Sequence, residues 1–381
     1  MKAVVLSAPR RLELREIPNP TPRTGEVLLR VDAVGLCGSD HHIWTGESNY
    51  HFGTDGKPVP LEQHQQVLGH EIVGTVEDCG VDSGMTVGTS VVVDQGWNCS
   101  SRGRARARWC AYCTDGDTHQ CADYVEHGIT GLPGGLAEHI CVPATNCIPR
   151  DGALPARHAA LSEPLACVLH ACAATQAARA RFTVGADEPA RRVRSILITG
   201  GGTAGLLFVQ VLRRVIGFDG MVIVSEPDPR KRHLAERFGA TGLDPRSQDP
   251  VEAVRTLTGG GAEWVIEASG SGRAFEQIFG QIRKQATVLL YGFGHGGSSL
   301  EALNPLHWYE PTLVLPTGAS GAIGADGKPE IYRRALNLLE SGAVRAEEIV
   351  TEVLPGLAAV PAAFAEWGKN ASSIKGVVEL S

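Results

Sequence analysis

Apolar positions along this chain change their period twice. Up to about residue 157 they form short runs rich in β-branched residues, such as 27–34 and 71–76, punctuated by Pro18, Pro20 and Pro22 and by glycine turns. Such runs predict short strands in a compact, barrel-like β domain. Between about 158 and 180 the sequence becomes alanine-rich with helical spacing. From Arg194 onward, apolar strands at 194–199, 221–224, 264–267 and 287–291 alternate with amphipathic stretches, for instance 229–238 and 272–284. Strand–helix–strand order predicts parallel pairing and a doubly wound sheet. After residue 322 there remain one helix, 329–339, and a last strand, 376–380. That tail is too short for its own core and is expected to rejoin the first domain. The expected fold is α/β with a separate β-rich domain: residues 1–157 and 322–381 in one domain, 158–321 in the other.

A length of 381 residues agrees with two cores rather than one. Hydrophobic content of 43% and charged content of 20% describe an ordinary globular chain. The net charge of −7 gives no support to a global nucleic-acid-binding role. No apolar run reaches the roughly 18 residues that a membrane helix needs. Residues 1–6 lack a long apolar segment with a small-residue cleavage site, so they read as a first strand rather than a signal peptide. Ten cysteines that include Cys110-x2-Cys113 point to metal binding in a reducing cytoplasm, not to a disulfide framework.

The sharpest local signal is Gly200-Gly201-Gly202-Thr203-Ala204-Gly205, which follows an apolar strand and opens an apolar helix over 206–215. Strand, glycine turn and helix N-terminus form the setting in which a dinucleotide pyrophosphate binds. Glu226 ends the next strand, roughly 20 residues on, where a carboxylate accepts hydrogen bonds from ribose hydroxyls and repels a 2′-phosphate. NAD is therefore expected over NADP, with Arg230, Lys231 and Arg232 as the residues that would instead admit NADP. Gly292-Phe293-Gly294, ending a later strand, is expected to let the nicotinamide lie close to backbone.

Upstream stand Cys37-Gly38-Ser39-Asp40-His41-His42, Gly69-His70-Glu71 and Glu163-Pro164-Leu165-Ala166-Cys167. Cys37, His70, Glu71 and Glu163 are potential metal ligands, and a Lewis acid combined with a hydride carrier defines alcohol/carbonyl redox chemistry. In order and content these motifs resemble the zinc-dependent medium-chain dehydrogenases, specifically the sorbitol, threonine and sugar dehydrogenase branch. The resemblance runs from residue 1 to the closing 375–378. It implies a GroES-like catalytic domain and a Rossmann domain, with the active site in the cleft between them. It makes Cys37 and His70 catalytic zinc ligands and offers Glu71 and Glu163 as alternating carboxylate ligands. Thiolate and imidazole hold zinc tightly, whereas carboxylate or water leaves an exchangeable position for substrate oxygen. The resemblance also makes Ser39 and His42 a proton relay. Cys167 is a rival ligand, and Asp40 is expected to orient local backbone.

Two departures stand out. Cys110-x2-Cys113-x7-Cys121 matches three ligands of the family's structural zinc lobe, but the usual first cysteine, near position 107, is missing. Cys99 is the natural substitute, because loop closure depends only logarithmically on length. The intervening loop carries Arg102, Arg104, Arg106 and Arg108, either as a solvated loop or as a surface for an acidic or phosphorylated partner. The gap between Cys37 and His70 is also longer than the family's by about eight residues, next to the metal pocket. It includes 51–57, with Glu62, His64 and Gln65 as candidates for contacting substrate hydroxyls.

The expected reaction is reversible, NAD(P)-linked oxidation of a secondary alcohol on a small polar, hydroxylated substrate: a polyol, sugar, cyclitol or amino alcohol. Alternatives are a formaldehyde-type dehydrogenase or dismutase, a zinc-independent enone reductase, which Cys37 and His70 argue against, and a catalytically inactive relative. The segment 311–315 resembles the family's edge strand that pairs across a two-fold axis, so a homodimer or homotetramer is expected.

Overall fold

A computed structural model describes residues 1–380. The chain forms two compact units, one of residues 1–166, 319–342 and 346 onward, the other of 167–318 with 343–345. The expected boundaries, 157/158 and 321/322, lie nine and three residues from these. The first division falls inside the helix Ser162–Ala177 rather than before it.

The first unit is built on a seven-stranded sheet. Its order is Cys147–Pro149, Ser90–Val93, Glu71–Cys79, Glu26–Gly35, Lys375–Glu379 and Val350–Pro355, with His139–Pro143 also paired to Glu26–Gly35. The central strand explains the arrangement. Val27, Leu29 and Val31 are buried while Leu28 and Arg30 are more exposed, the alternation of a sheet wetted on one face. From Val31 to Gly35 every position is buried. At that doubly covered end Gly35 lies opposite Glu71 on one side and Val377 on the other. The C-terminal tail thus completes the sheet beside the potential metal ligands, as its shortness demands.

The second unit holds six parallel strands in the order Thr241–Leu243, Met221–Ser225, Ser195–Thr199, Ala262–Glu267, Ile282–Leu290 and Thr312–Val314. Residues 196–198, 222–224 and 264–266 are all buried, as strands covered on both faces must be. Strand order reverses at Ser195–Thr199, so its carboxyl end, at Gly200, is the switch point where ligands bind in such sheets. Asp228 and Asp249 cap the helices Pro229–Arg237 and Pro250–Thr258, each with proline in the first turn.

Two helices differ from the sequence pattern. The expected helix over 272–284 ends at Gln281, because buried Ile282 pairs with Ala262 and begins the next strand. The fingerprint helix begins at Thr203 and changes after Gln210 into a π-helical turn, Val211–Val215. Among the described residues no helix is long and apolar enough to cross a membrane.

Candidate functional site

Cys37 ends the segment after the central strand and caps the helix Gly38–Thr45. His70 and Glu71 open the neighbouring strand. Ligand atoms of Cys37, His70 and Glu71 lie within 4.8 Å of one another. Glycine makes this possible: a Cβ on Gly35 would sit 1.9 Å from Glu71 Oε2, so only glycine lets that side chain fold back. Asp40, fully buried, ties the group together. Its carboxylate accepts the N–H of Cys37 at 2.9 Å and of Gly69 at 3.0 Å, and lies 3.4 Å from His70 Nδ1. Asp40 therefore orients the backbone around both ligands, as the sequence reading expects.

Burial disfavours the charged imidazole of His70, but the charge of Asp40 and hydrogen bonding to Asp40 and Cys37 outweigh it, raising its pKa well above the ordinary value. Glu71 pairs through Oε1 with Lys375, which also donates to the carbonyl of Leu36 at 2.8 Å. Burial opposes the charge on Lys375, yet the negative charges of Glu71, Cys37 and Glu163 raise its pKa overall. Sequence reasoning passed over Lys375. Its signal was a lysine at the start of an apolar strand that the fold had to bury.

Glu163 is not in the 4.8 Å group. It sits in the first turn of Ser162–Ala177, where Oε1 accepts the Gln95 side-chain amide at 3.1 Å. Cys167 is likewise outside that group. Ser39 Oγ lies 3.7 Å from Cys37 Sγ, while His42 pairs through Nδ1 with Glu47 at 2.8 Å. His41 points elsewhere, stacked on Trp367 at 5.2 Å. In the inserted segment, His64 packs on His51 and contacts the Gly131 carbonyl, and Gln65 accepts from Arg15. Glu62 is exposed. Tyr50, in the same stretch, is half-buried and feels the charge of Cys37. Burial first, then the negative charges of Glu126 and Cys37, push its phenol upward.

Cys99, Cys110, Cys113 and Cys121 also come within 4.8 Å of one another. Cys99 Sγ accepts the N–H of Cys110 at 3.3 Å and approaches Cys121 Sγ at 3.8 Å, so the distant cysteine does complete the set. Against burial, backbone N–H groups of Ala122 and Cys113 pull Cys110 down to about 6. Burial and the neighbouring sulfurs push Cys113 and Cys121 upward. A set that so resists collecting negative charge suits a cation. The arginine loop folds the lobe: Arg104 pairs with Asp123 at 2.7 Å and donates to Cys99 Sγ at 3.5 Å. Arg102 and Arg106 lie over Trp97 and Trp109.

In the second unit, Gly200 has φ 98 and Gly205 packs so closely that a Cβ would meet Gly200 O at 2.0 Å. Gly202, the N-cap of Thr203–Gln210, faces open space, and Thr203 and Ala204 follow in the first turn. That combination of tight turn and open helix N-terminus is a phosphate cradle. Glu226, 8% exposed, accepts the Gly201 N–H at 2.7 Å and the Asp228 N–H at 2.8 Å. Arg232 donates to the carbonyls of Glu226 and Pro227 and pairs with Asp244 at 3.0 Å. Gly292 packs against Gly270 and Glu267, and Phe293 is 57% exposed.

Residues 23–155 match the profile of the alcohol dehydrogenase GroES-like domain, and residues 204–342 match that of the zinc-binding dehydrogenases. The L-threonine 3-dehydrogenase of Pyrococcus furiosus is 31% identical over 92% of this chain and 90% of its own length. The erythritol/L-threitol dehydrogenase of Mycolicibacterium smegmatis is 29% identical over 93% of this chain and 91% of its own. A zinc-binding dehydrogenase from Sinorhizobium meliloti, solved with NADP bound, superposes with a TM-score of 0.78 at 27% identity, covering 99% of this chain and 98% of that one.

Proposed function

Because the chain belongs to the zinc-binding alcohol dehydrogenase family, we infer that it is an oxidoreductase transferring hydride between a secondary alcohol and a nicotinamide cofactor. The observation that carries a zinc-dependent reading is the convergence of half-buried Cys37 with buried His70 and Glu71. One buried polar atom of this group, Glu71 Oε2, has no hydrogen-bond partner. Soft sulfur, imidazole and carboxylate together are a zinc donor set. The glycine cradle and the Glu226 carboxylate fit a dinucleotide equally well.

Zinc, when bound, supplies a Lewis acid that polarises the substrate oxygen, and the nicotinamide supplies the hydride acceptor. The chain's own residues do the rest. Asp40 holds Cys37 and His70 in place. Ser39 would accept the substrate's hydroxyl proton as it gives up its own, which would pass by the nicotinamide ribose to His42, backed by Glu47, and so to solvent. NAD is the proposed cofactor, supported by Glu226 at the ribose position and by Arg232 being committed to Asp244 and two carbonyls. A polyol, sugar, cyclitol or amino alcohol is the proposed substrate class, supported by the polar residues around Tyr50 and by relatives named for threitol and threonine. A cytoplasmic homo-oligomer is the proposed form.

The test is a panel of polyols, aminocyclitols, aldoses and threonine, followed by NADH and NADPH formation. Turnover of at least one is expected with NAD, falling about a thousandfold or more on chelation and in Cys37→Ala. Zinc-loaded protein inert to the whole panel would reject the reading.

A further inference from the structure

Glu163 is held in a way that the metal ligands alone do not explain. Gln95 is 1% exposed, Glu163 6% and Tyr332 fully buried, so each polar atom here must find a protein partner. A carboxylate only accepts, so Gln95 must present its NH2 to Glu163, and Nε2 does lie 3.1 Å from Oε1. Gln95 Oε1 then faces the Tyr332 hydroxyl, which must donate to it. The amide cannot flip without turning its own oxygen against the Glu163 carboxylate, two acceptors face to face. Three distant segments, the strand end at 94–95, the first turn of Ser162–Ala177 and the helix Glu330–Glu340, thereby determine where one carboxylate points.

Glu71 and Glu163 differ in what holds them. Glu71 is paired with the ammonium of Lys375 and lies inside the group of ligand atoms. Glu163 lies outside that group; the neutral Gln95 amide donates to its Oε1, while its charge acts on Lys375. A hydrogen bond of that kind is strong enough to bias a carboxylate and weak enough to be exchanged. We propose that Gln95 and Tyr332 form a latch that holds Glu163 away from the metal and so sets how readily this second carboxylate exchanges onto it. Gln95 and Tyr332 are positioning residues acting through Glu163. The inference rests on the zinc reading above.

Cobalt substitution tests it, because ligand-field bands report coordination without turnover. Bands that the wild type shows and His70→Ala lacks belong to the Cys37/His70 site. With the latch removed in Gln95→Leu, these bands should change and loss of cobalt to a chelator should slow by about tenfold, the size of one hydrogen bond to a charged group. Tyr332→Phe, a milder change, should move both readouts in the same direction but less. In a Glu163→Ala background Gln95→Leu should have no effect, which a general packing role would not produce. Unchanged or faster cobalt loss in both variants, or an effect that survives Glu163→Ala, overturns the latch alone. Absence of His70-dependent bands in the wild type would overturn the zinc reading and the latch with it.

Discussion

Glu226 shows how one side chain can serve fold and chemistry together. Its carboxylate accepts the N–H groups of Gly201 and Asp228, so the glycine turn and the next helix are tied to the position proposed for the ribose. Replacing Glu226 by serine should therefore lower kcat/KM with NAD by about tenfold to a hundredfold, through the loss of charge-assisted hydrogen bonds. It should also narrow the NAD/NADP ratio, since repulsion of a 2′-phosphate disappears; an unchanged ratio would reject its role in cofactor choice. His127 makes a different demand. Trp97 Nε1–H can only donate to its Nε2 at 2.9 Å and the Pro133 carbonyl can only accept from its Nδ1 at 2.7 Å, so the ring is neutral with one tautomer. Burial accordingly lowers its pKa from 6.5 to about 4. Above pH 6.5 neither folded nor unfolded His127 carries the proton; between there and about 4 only the unfolded chain does. Stability should fall as pH drops through this window, by on the order of 3 kcal/mol from this residue. The Tm of His127→Gln should depend less on pH between 7 and 4.5 than that of the wild type, and parallel curves would contradict the assignment.

The cysteine lobe poses its question at the level of an element. Its buried interior is Cys99, Cys113 and Cys121, with Trp109, Cys110 and Tyr124 packed against them. So small an apolar core needs a staple, and four convergent thiols supply the site for one. Cys99→Ser should reduce zinc, measured by mass spectrometry of the metal, from about two ions per chain to about one. It should lower the Tm as well, while turnover at the Cys37 site persists. Retention of both ions would mean that Cys99 is not a ligand. The charged rim of the lobe follows the same logic: Arg104 reaches both Asp123 and the Cys99 sulfur, which makes this part of the arginine loop a structural device rather than a free basic patch.

For the whole molecule the open matter is assembly. Thr312–Val314 is the last strand of the parallel sheet and pairs only with Ile282–Leu290 among the described residues. In it and directly after it Leu313 and Leu315 are 41% and 66% exposed, and Leu300 and Trp308, earlier in the chain, are 83% and 80% exposed. An edge strand flanked by exposed apolar side chains is suited to a second copy, and closed two-fold pairing is the usual solution. Light scattering should show a dimer or tetramer, and Leu315→Lys should shift it toward monomer. A single species of 40.3 kDa in the wild type would exclude this assembly.

Periodic and local signals in the chain determined most of the architecture. The β-branched runs, the strand–helix alternation and the glycine turn before 206 depend on neighbours in sequence, and each appears in the structure, with shifted bounds for the helices near 203 and 272. Cys37, His70 and Cys99 stood out through their residue types and the resemblance, and the fold brings each into a group of potential ligand atoms. What the chain could not reveal by itself are the partners brought in by pairing between remote strands and helices. Lys375 meets Glu71 because the tail strand lies beside Gly35, and Tyr332 reaches Gln95 across the first unit. Whether Glu163 stands among the ligand atoms or beside them is a matter of hydrogen bonding between three segments. A buried carboxylate goes where its donors are, and only folding decides which donors arrive.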